Sequence, residues 1–510
     1  MTVGLTHLPT GRRKSVWTQN DRRGLEQYAR CFQNYYHGQR FLNADPHYIA
    51  HVRLTINHWQ IRDLVQVDAH TGLVFHTEDE NIRILSARSP AAGLLRLRTH
   101  LSLPYRPRCF HHATGGLVVA GGVLTTLAKV YQMDIPDLTL GSCGGDRRHP
   151  AKGLFSVYSP AMGSEMSFLL GDMINNAVRI YPQQNSLSAY TAYTCNNDLG
   201  LYKVDISDSG VCLERMITCD RNTLLNNVHL SADGRVVTVT GDTGTIFLVD
   251  PALPRAVRDM ISTGHDLGFG ISYHSNGHLF AVAFQNGTCT VFDSRNTTLP
   301  VHEAKLTRPG HQLGAFRTCR FINSPVQDLL AVLEHLGRVH LFDVRDFAAE
   351  NRQVIVYPFA VDQYARGRTT MEQLDDEFST DMHRTVEVFD DPAPFTAPLV
   401  YDYAYLTDVN PKLFKGFTYM PATEAREVKD VGVAMECEPS LGTDVAADGR
   451  ISSRAQELYL QSLNHVNGEM EIAGMDWYGN RLFVGSEDGG MLVWDVNARA
   501  RRSCGSFSFV

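Results

Sequence analysis

Between Thr263 and Arg345 one pattern of residues is written twice, and few folds can accommodate it. The first copy reads TGHDLGFGISYHSNGHLFAVAFQNGTCTVFDSR and the second PGHQLGAFRTCRFINSPVQDLLAVLEHLGRVHLFDVR. Each has a Gly-His pair, a short apolar run, a polar turn and a longer apolar run. A Gly-containing turn and a third run ending Phe-Asp follow, with an arginine two residues on. The closing residues Asp293 and Asp343 lie 50 positions apart. A unit of this length built from strand-like runs cannot bury its own apolar faces and must stack against copies of itself.

Reading outward, similar closing aspartates fall at Asp205, Asp250, Asp293 and Asp343, in steps of 45, 43 and 50 residues. The Gly-His…aromatic-Asp frame at this period predicts an all-β, seven-bladed WD-repeat β-propeller. Blade one is expected in HVRLTINHWQIRDLVQV, GLVFHT and NIRILSA, and blade two in RPRCFHHATGGLVVAGG and LAKVYQMD. The interval from Ile135 to Gly171, with GSCGG at 141–145, reads as loop. INNAVRIYP, AYTAYTCNND and GLYKVDIS make blade three, and NNVHLSADGR, VVTVTGD and TIFLVD blade four. The doubled stretch makes blades five and six, with RQVIVYPF as an outer strand. IAGMDWYGNRLFVGSEDGGMLVWDV makes the seventh. Runs such as LFAVAF and LLAVL are apolar on both faces, as a strand between two neighbouring sheets requires.

These units divide the chain at 1–48, 49–350, 351–470 and 471–510. The first part carries Leu25, Tyr28, Phe32 and Tyr35 at helical spacing and predicts a short amphipathic helix. The third is a long insertion before the last blade. Within it Glu372–Asp391 holds eight acids against one arginine, a composition that favours a solvated loop. An open ring would leave two unpaired sheet edges. The outer strand of the last blade is expected from Ser503–Val510, from HVRLTI near residue 51, or from both.

Composition narrows the function. With 43% apolar residues the chain can form a large core, and a net charge of −8 gives no footprint for nucleic acid. Its 10 cysteines contain no Cys-x-x-Cys and read as reduced thiols of an intracellular protein, cytoplasmic or nuclear. Apolar runs are too short for a membrane span. No His-Glu-x-x-His, Gly-x-Ser-x-Gly or P-loop motif occurs, so no catalytic residue, metal or cofactor is expected. The adjacent pair His111-His112 should point to opposite sides of a strand rather than chelate one ion.

The polar turns after each second strand are more informative. They carry Asn197, Asp242, Gln285, Glu334 and Glu487, and with the loops bearing His265 and His311 they should ring one mouth of the central channel. Asp and Asn cap such turns themselves. Converging on one opening, though, these groups also suit an extended peptide end. Gln285 and Glu334, expected on exposed turns, are candidates for ligand contact.

INNAVRI, CNND, NNVHLSADGR…VTGD, GFGISYHSNGHLFAVAFQNG, GAFRTCRF…DLLAVLEHLGRVHLFDVRDF and IAGMDWYGNRLFVGSEDGG carry a further resemblance. The chain resembles a fungal WD-repeat family that includes a substrate-receptor subunit of the GID ubiquitin ligase, over roughly residues 50–350 and 470–510. The acidic interruption before the last blade looks like that family too. The resemblance implies a non-catalytic substrate receptor or adaptor whose partners are ubiquitin-ligase subunits and peptide degrons. A WD-repeat scaffold in another intracellular complex is the alternative, and a propeller enzyme ranks last.

Overall fold

A computed structural model describes residues 41–43, 47–49, 52–58, 60–87, 94–125, 133–138, 152–160, 163–183, 186, 188–306, 314–322, 328–335, 337–347, 352–356, 471–487 and 490–498. It also describes the backbone of two strands in the insertion, His383–Phe389 and Val400–Asp402. The predicted N-terminal helix, GSCGG, His311 and Ser503–Val510 lie outside the described residues.

The protein is a seven-bladed β-propeller of four-stranded antiparallel sheets. Listed from the channel outward, blade I is Val65–Val67, Leu73–Glu78, Asn81–Ser86 and Leu94–Ser102. Blade II is Cys109–His112, Val118–Val123, Gly153–Ser159 and Ser164–Leu169. Blade III is Asn175–Pro182, Tyr190–Asn196, Gly200–Ser207 and Gly210–Thr218. Blade IV is Leu225–Leu230, Val237–Gly241, Thr243–Val249 and Val257–Ser262. Blade V is Gly268–Tyr273, Leu279–Phe284, Thr288–Asp293 and His302–Lys305. Blade VI is Phe316–Phe321, Leu329–Glu334, Arg338–Asp343 and Arg352–Val356.

Blade VII closes the ring. Its inner three strands, Ile472–Tyr478, Arg481–Ser486 and Met491–Asp495, come from the far end of the chain, and its outermost strand is His47–Ile49. This joins the first and last parts of the sequence through a sheet edge that would otherwise be open. The strand His383–Phe389 pairs on one side with His47–Ile49 and on the other with Leu94–Ser102, so blades VII and I share one nine-stranded sheet. It lies inside the acidic segment expected to form a loop. Val400–Asp402 adds to the outer edge of blade VI.

Blade II departs from expectation. Its third and fourth strands are Gly153–Ser159 and Ser164–Leu169, both inside the interval read as loop. The excursion between Val123 and Gly153 separates two strands that are near neighbours elsewhere, which hides the blade period. In blade I only Val65–Val67 of the long first run is strand. The preceding residues instead run across to blade VII, where Leu54 bridges Glu487 in parallel.

Apolar clusters fill the seams between blades. Phe75, Ile82, Phe110 and Val118 join I to II, and Val119, Phe155, Val178 and Ala192 join II to III. Tyr193, Val228 and Val239 join III to IV; Ile246, Phe280 and Val282 join IV to V; Ala281, Val291, Phe316 and Cys319 join V to VI. Val65, Leu64, Ala473 and Phe483 join I to VII. Each fully buried Val, Leu, Ile or Phe contributes about 1.5–3 kcal/mol, so the seams supply most of the stability. In the doubled stretch Asp293 and Asp343 each accept from the backbone N–H and guanidinium of Arg295 and Arg345, which caps the turn after the third strand.

The inner strands approach closely. A Cβ added at Gly270 would lie 2.7 Å from Cα of Thr318 and 2.9 Å from N of Cys319 in the next blade. Because the obstacle is backbone, Gly270→Ala is expected to destabilise the fold by about 1–3 kcal/mol. Urea denaturation checks this; an unchanged midpoint would contradict the packing described.

No helix among the described residues is long and apolar enough to cross a membrane.

Candidate functional site

One hydrogen bond recurs in five blades and builds one mouth of the channel. The residue after each second strand donates its N–H to the carbonyl two places before the bulge of the inner strand. Asn197 donates to Ile174 (3.1 Å), Asp242 to Leu224 (2.8 Å) and Gln285 to Leu267 (2.9 Å). His335 donates to Ala315 (2.8 Å) and Glu487 to Glu471 (3.1 Å). Two residues past each acceptor the inner strand carries a register shift, at Asn176, Asn226, Phe269, Arg317 and Ala473. A bulge re-aims its extra side chain. These five therefore stand at one level of the inner strands, and Asn176, Asn226 and Arg317 bond the turn residue of their own or the neighbouring blade.

The amide side of the mouth is satisfied from within. Asn176 Nδ2 donates to Oδ1 of Asn197 and to the carbonyl of Leu225 in the next blade, the latter at 2.8 Å. Asn226 Nδ2 donates to Asp242 Oδ1 at 2.8 Å and to the carbonyl of Gly268 at 3.2 Å. Asp242 itself is exposed. Gln285 Oε1 accepts from Arg317 Nη1 at 3.3 Å. Glu487 accepts from the N–H of Ile56 at 3.4 Å, fastening the segment that leads into blade I.

Two expected mouth residues bond within their own blades. His265 is folded across blade V, with Nε2 near Thr290 Oγ1 (3.2 Å) and Glu303 Oε1 (3.2 Å) and Nδ1 near Asn286 Nδ2 (3.2 Å). Glu334, expected on an exposed turn, is fully buried at 0% exposure. Its Oε1 accepts from His340 Nε2 at 2.5 Å, and His340 Nδ1 accepts from Arg352. Burial and the Arg352 charge push His340 down to about 3, so it remains neutral between acid and base. The doubled stretch already contained this correction. Aligning LFAVAFQNG with LLAVLEHLG sets Glu334 over Phe284, the last strand residue, and sets His335 over Gln285 in the turn.

His335 thus takes the mouth position of blade VI. Its Nδ1 accepts from Arg317 Nε at 3.3 Å and its Nε2 faces Glu471 Oε1 at 3.5 Å. That oxygen also accepts from Arg62 Nη2 at 2.5 Å. Nearby His58 accepts the N–H groups of Gln60 and Ile61, and burial plus the charges of Arg62, Arg108 and Arg317 lower it to about 3. Blades VI, VII and I therefore give the mouth a side of interleaved arginines and glutamates, whose arginines sequence patterns do not mark.

Three residues deeper along the inner strands lies a second layer, of Arg179, His229, Ser272, Arg320 and Asp476, in which charges from separate blades meet. Asp63, just before the inner strand of blade I, receives Arg179 Nη2 from blade III at 2.6 Å and Arg320 Nη2 from blade VI. Asp476 of blade VII lies 3.9 Å from Arg320 Nε and accepts the N–H of Val67 at 2.7 Å. Burial would raise the Asp63 pKa, but Arg320 and Arg179 outweigh it and hold the group below the usual carboxylate range. Asp476, buried with less compensation, is raised.

Among the described residues no group of three or more His, Cys, Asp or Glu could hold a metal ion. His111 and His112 face opposite neighbours. His111 Nδ1 accepts from the N–H of Ile180 in blade III at 3.2 Å, while His112 stacks on Phe75 of blade I at 4.5 Å.

Residues 314–356, which are blade VI, match a family described as an uncharacterised protein domain, DUF2415. The chain is also similar to uncharacterized protein YLR149C of Saccharomyces cerevisiae, 28% identical over 404 residues, covering 60% of this chain and 54% of that protein. It is 29% identical over 211 residues to uncharacterized protein C4G3.03 of Schizosaccharomyces pombe, covering 40% of this chain and 59% of that protein. The matches thus span little more than half the length of either relative.

Proposed function

We propose that this propeller is a protein-interaction module that grips an extended peptide or chain terminus at the mouth described above. We further propose that it presents the bound protein to a larger assembly, as the substrate receptor or adaptor of a ubiquitin ligase would. The observation that carries the first part is the register of the mouth. Five blades place a polar turn residue at one equivalent position, locked by one equivalent hydrogen bond, above a layer of ion pairs that links blades I, III and VI. Paired charges beneath a hydrogen-bonded polar rim hold the side chains in place, and a site held in place loses little freedom when a peptide settles on it. The second part is supported by the motifs of the repeats, which resemble a family with such a receptor.

Asp242 is the residue to test, because it is exposed and its loss leaves only Asn226 to find water. Affinity purification of the full chain is expected to recover a defined set of proteins that Asp242→Ala/Gln285→Ala loses by about tenfold, the scale of one well-placed polar contact. Identical recovery with the double variant would remove the mouth from the proposal. Recovery of partners without ligase subunits would leave the module and remove the ligase.

A further inference from the structure

Arg317 is the feature of the mouth that the fold does not explain. It is only 2% exposed, yet among the described residues no carboxylate pairs with it. The other arginines of the channel are matched: Arg62 has Glu471, and Arg179 and Arg320 share Asp63. Arg317 has two neutral acceptors at 3.3 Å, His335 Nδ1 and Gln285 Oε1, and the Phe269 ring 4.5 Å from its Cζ. Two acids act on it from farther away, and both are engaged elsewhere: Asp266 accepts the N–H of Asn286 and Glu471 is bonded to Arg62. Burial and the Arg62 charge push Arg317 down to about 9, so the site works against the cation it contains. A buried charge without a partner is strongly unfavourable, and a neutral residue of the same size would be more stable.

The guanidinium is nonetheless held firmly. Phe269 supports one face of it, and His335 and Gln285 hold Nε and Nη1, while Nη2 has no hydrogen-bond partner among the described residues. All of these groups sit in the mouth layer rather than in the seams. A planar fork fixed by stacking and two side bonds, with one arm unoccupied, is suited to a carboxylate approaching along the channel axis.

We infer that Arg317 is the anchor for a carboxylate group carried by the bound peptide, either its C-terminus or an aspartate or glutamate side chain. This rests on the reading of the mouth as a peptide site and adds the charge the peptide must bring. The amide side of the mouth, at Asn176, Asn197, Asn226 and exposed Asp242, then faces the remaining backbone. Gln285 and His335 position the anchor and are not themselves required to touch the ligand.

Three short probes test it on the full chain at constant ionic strength: N-acetyl-triglycine with a free carboxylate, its C-terminal amide, and amidated N-acetyl-Gly-Glu-Gly. Isothermal titration is expected to show the free acid binding about tenfold more tightly than the amide, the scale of one charge-assisted contact. Binding of the glutamate probe as tightly as the acid would mean that any carboxylate serves; weaker binding would identify a C-terminus. In Arg317→Met the preference for acid over amide is expected to vanish, and the peptide-free protein is expected to melt at the same or a higher temperature. Arg317→Lys, which keeps the charge but not the fork, is expected to retain part of the preference. Equal binding of acid and amide to the wild type would overturn the inference while leaving the mouth as a peptide site. Failure of all three probes to bind would overturn it as well. A lower melting temperature in Arg317→Met with the acid preference intact would make Arg317 a structural residue only.

Discussion

Asp63→Ala is expected to lower the stability of the whole propeller by about 3–5 kcal/mol, the range for removing one partner of a buried charge cluster. Asp63 is the only acid that touches both Arg179 and Arg320 among the described residues, and those arginines come from blades III and VI. Without it two guanidiniums would lack their shared acid, with Asp476 3.9 Å from one of them. Ion pairs at the surface are worth far less, because water screens them. Asp63→Asn keeps the shape and some hydrogen bonding but not the charge, so it should fall between wild type and Asp63→Ala. Urea denaturation at neutral pH reads the difference. A loss below about 1 kcal/mol, the surface range, would mean that water reaches this layer and the channel is open.

Acid is the second large effect. His58, His229 and His340 are lowered to about 3, and His76 and His112 to about 4, each mainly by burial. In the unfolded chain a histidine takes up its proton near pH 6.5. Between about pH 6.5 and 4 the unfolded state therefore binds more protons than the folded one, and stability falls as pH falls. At most each group contributes about 1.4 kcal/mol per pH unit. Even a third of the five-group total would, over two units, approach the 5–15 kcal/mol stability of a typical domain. His274 works in the other direction. Its bond to Asp328 raises it, so its contribution is complete below the unfolded value and is lost as pH rises. Asp63, held low, adds to the acid loss only below about pH 4, the ordinary carboxylate value. The urea midpoint is expected to drop steadily from pH 7.5 to 5, and a flat or rising profile would show that these imidazoles are hydrated.

Much of the fold was legible because repetition is a statistical signal. The inner three strands of blades III to VI could be read one by one, while the outer strands Gly210–Thr218, Val257–Ser262 and His302–Lys305 carry no such signal, and the register of the doubled stretch contains the right position for His335. Blade II was misread because the segment between Val123 and Gly153 breaks the period, and Gly153–Ser159 has no Phe-Asp ending to mark it. Closure was half visible: the choice lay between two ends of the chain, and His47–Ile49 lies just upstream of the segment named.

The site was less legible. Asn197, Asp242, Gln285 and Glu487 do occupy equivalent mouth positions, since turn chemistry is local and repeats with the blade. His265 bonds across blade V, and Glu334 was misplaced because a residue type alone does not tell which face of a strand end it occupies. A shift of one residue turns a side chain from the mouth into the blade, where Glu334 meets His340 and Arg352.

By itself the sequence determined the all-β class, the blade period and the set of turns that face one way, because each follows from neighbours within about 50 positions. Only the tertiary structure decided which charges meet. Asp63, Arg179, Arg320 and Asp476 are scattered over more than 400 positions and come together only when seven inner strands close into a ring. That closure pairs Asp63 with two arginines, gives Arg62 its Glu471 and leaves Arg317 with no acid at ion-pair distance among the described residues. Coulomb interactions depend on distance through space, and local sequence patterns do not encode that distance.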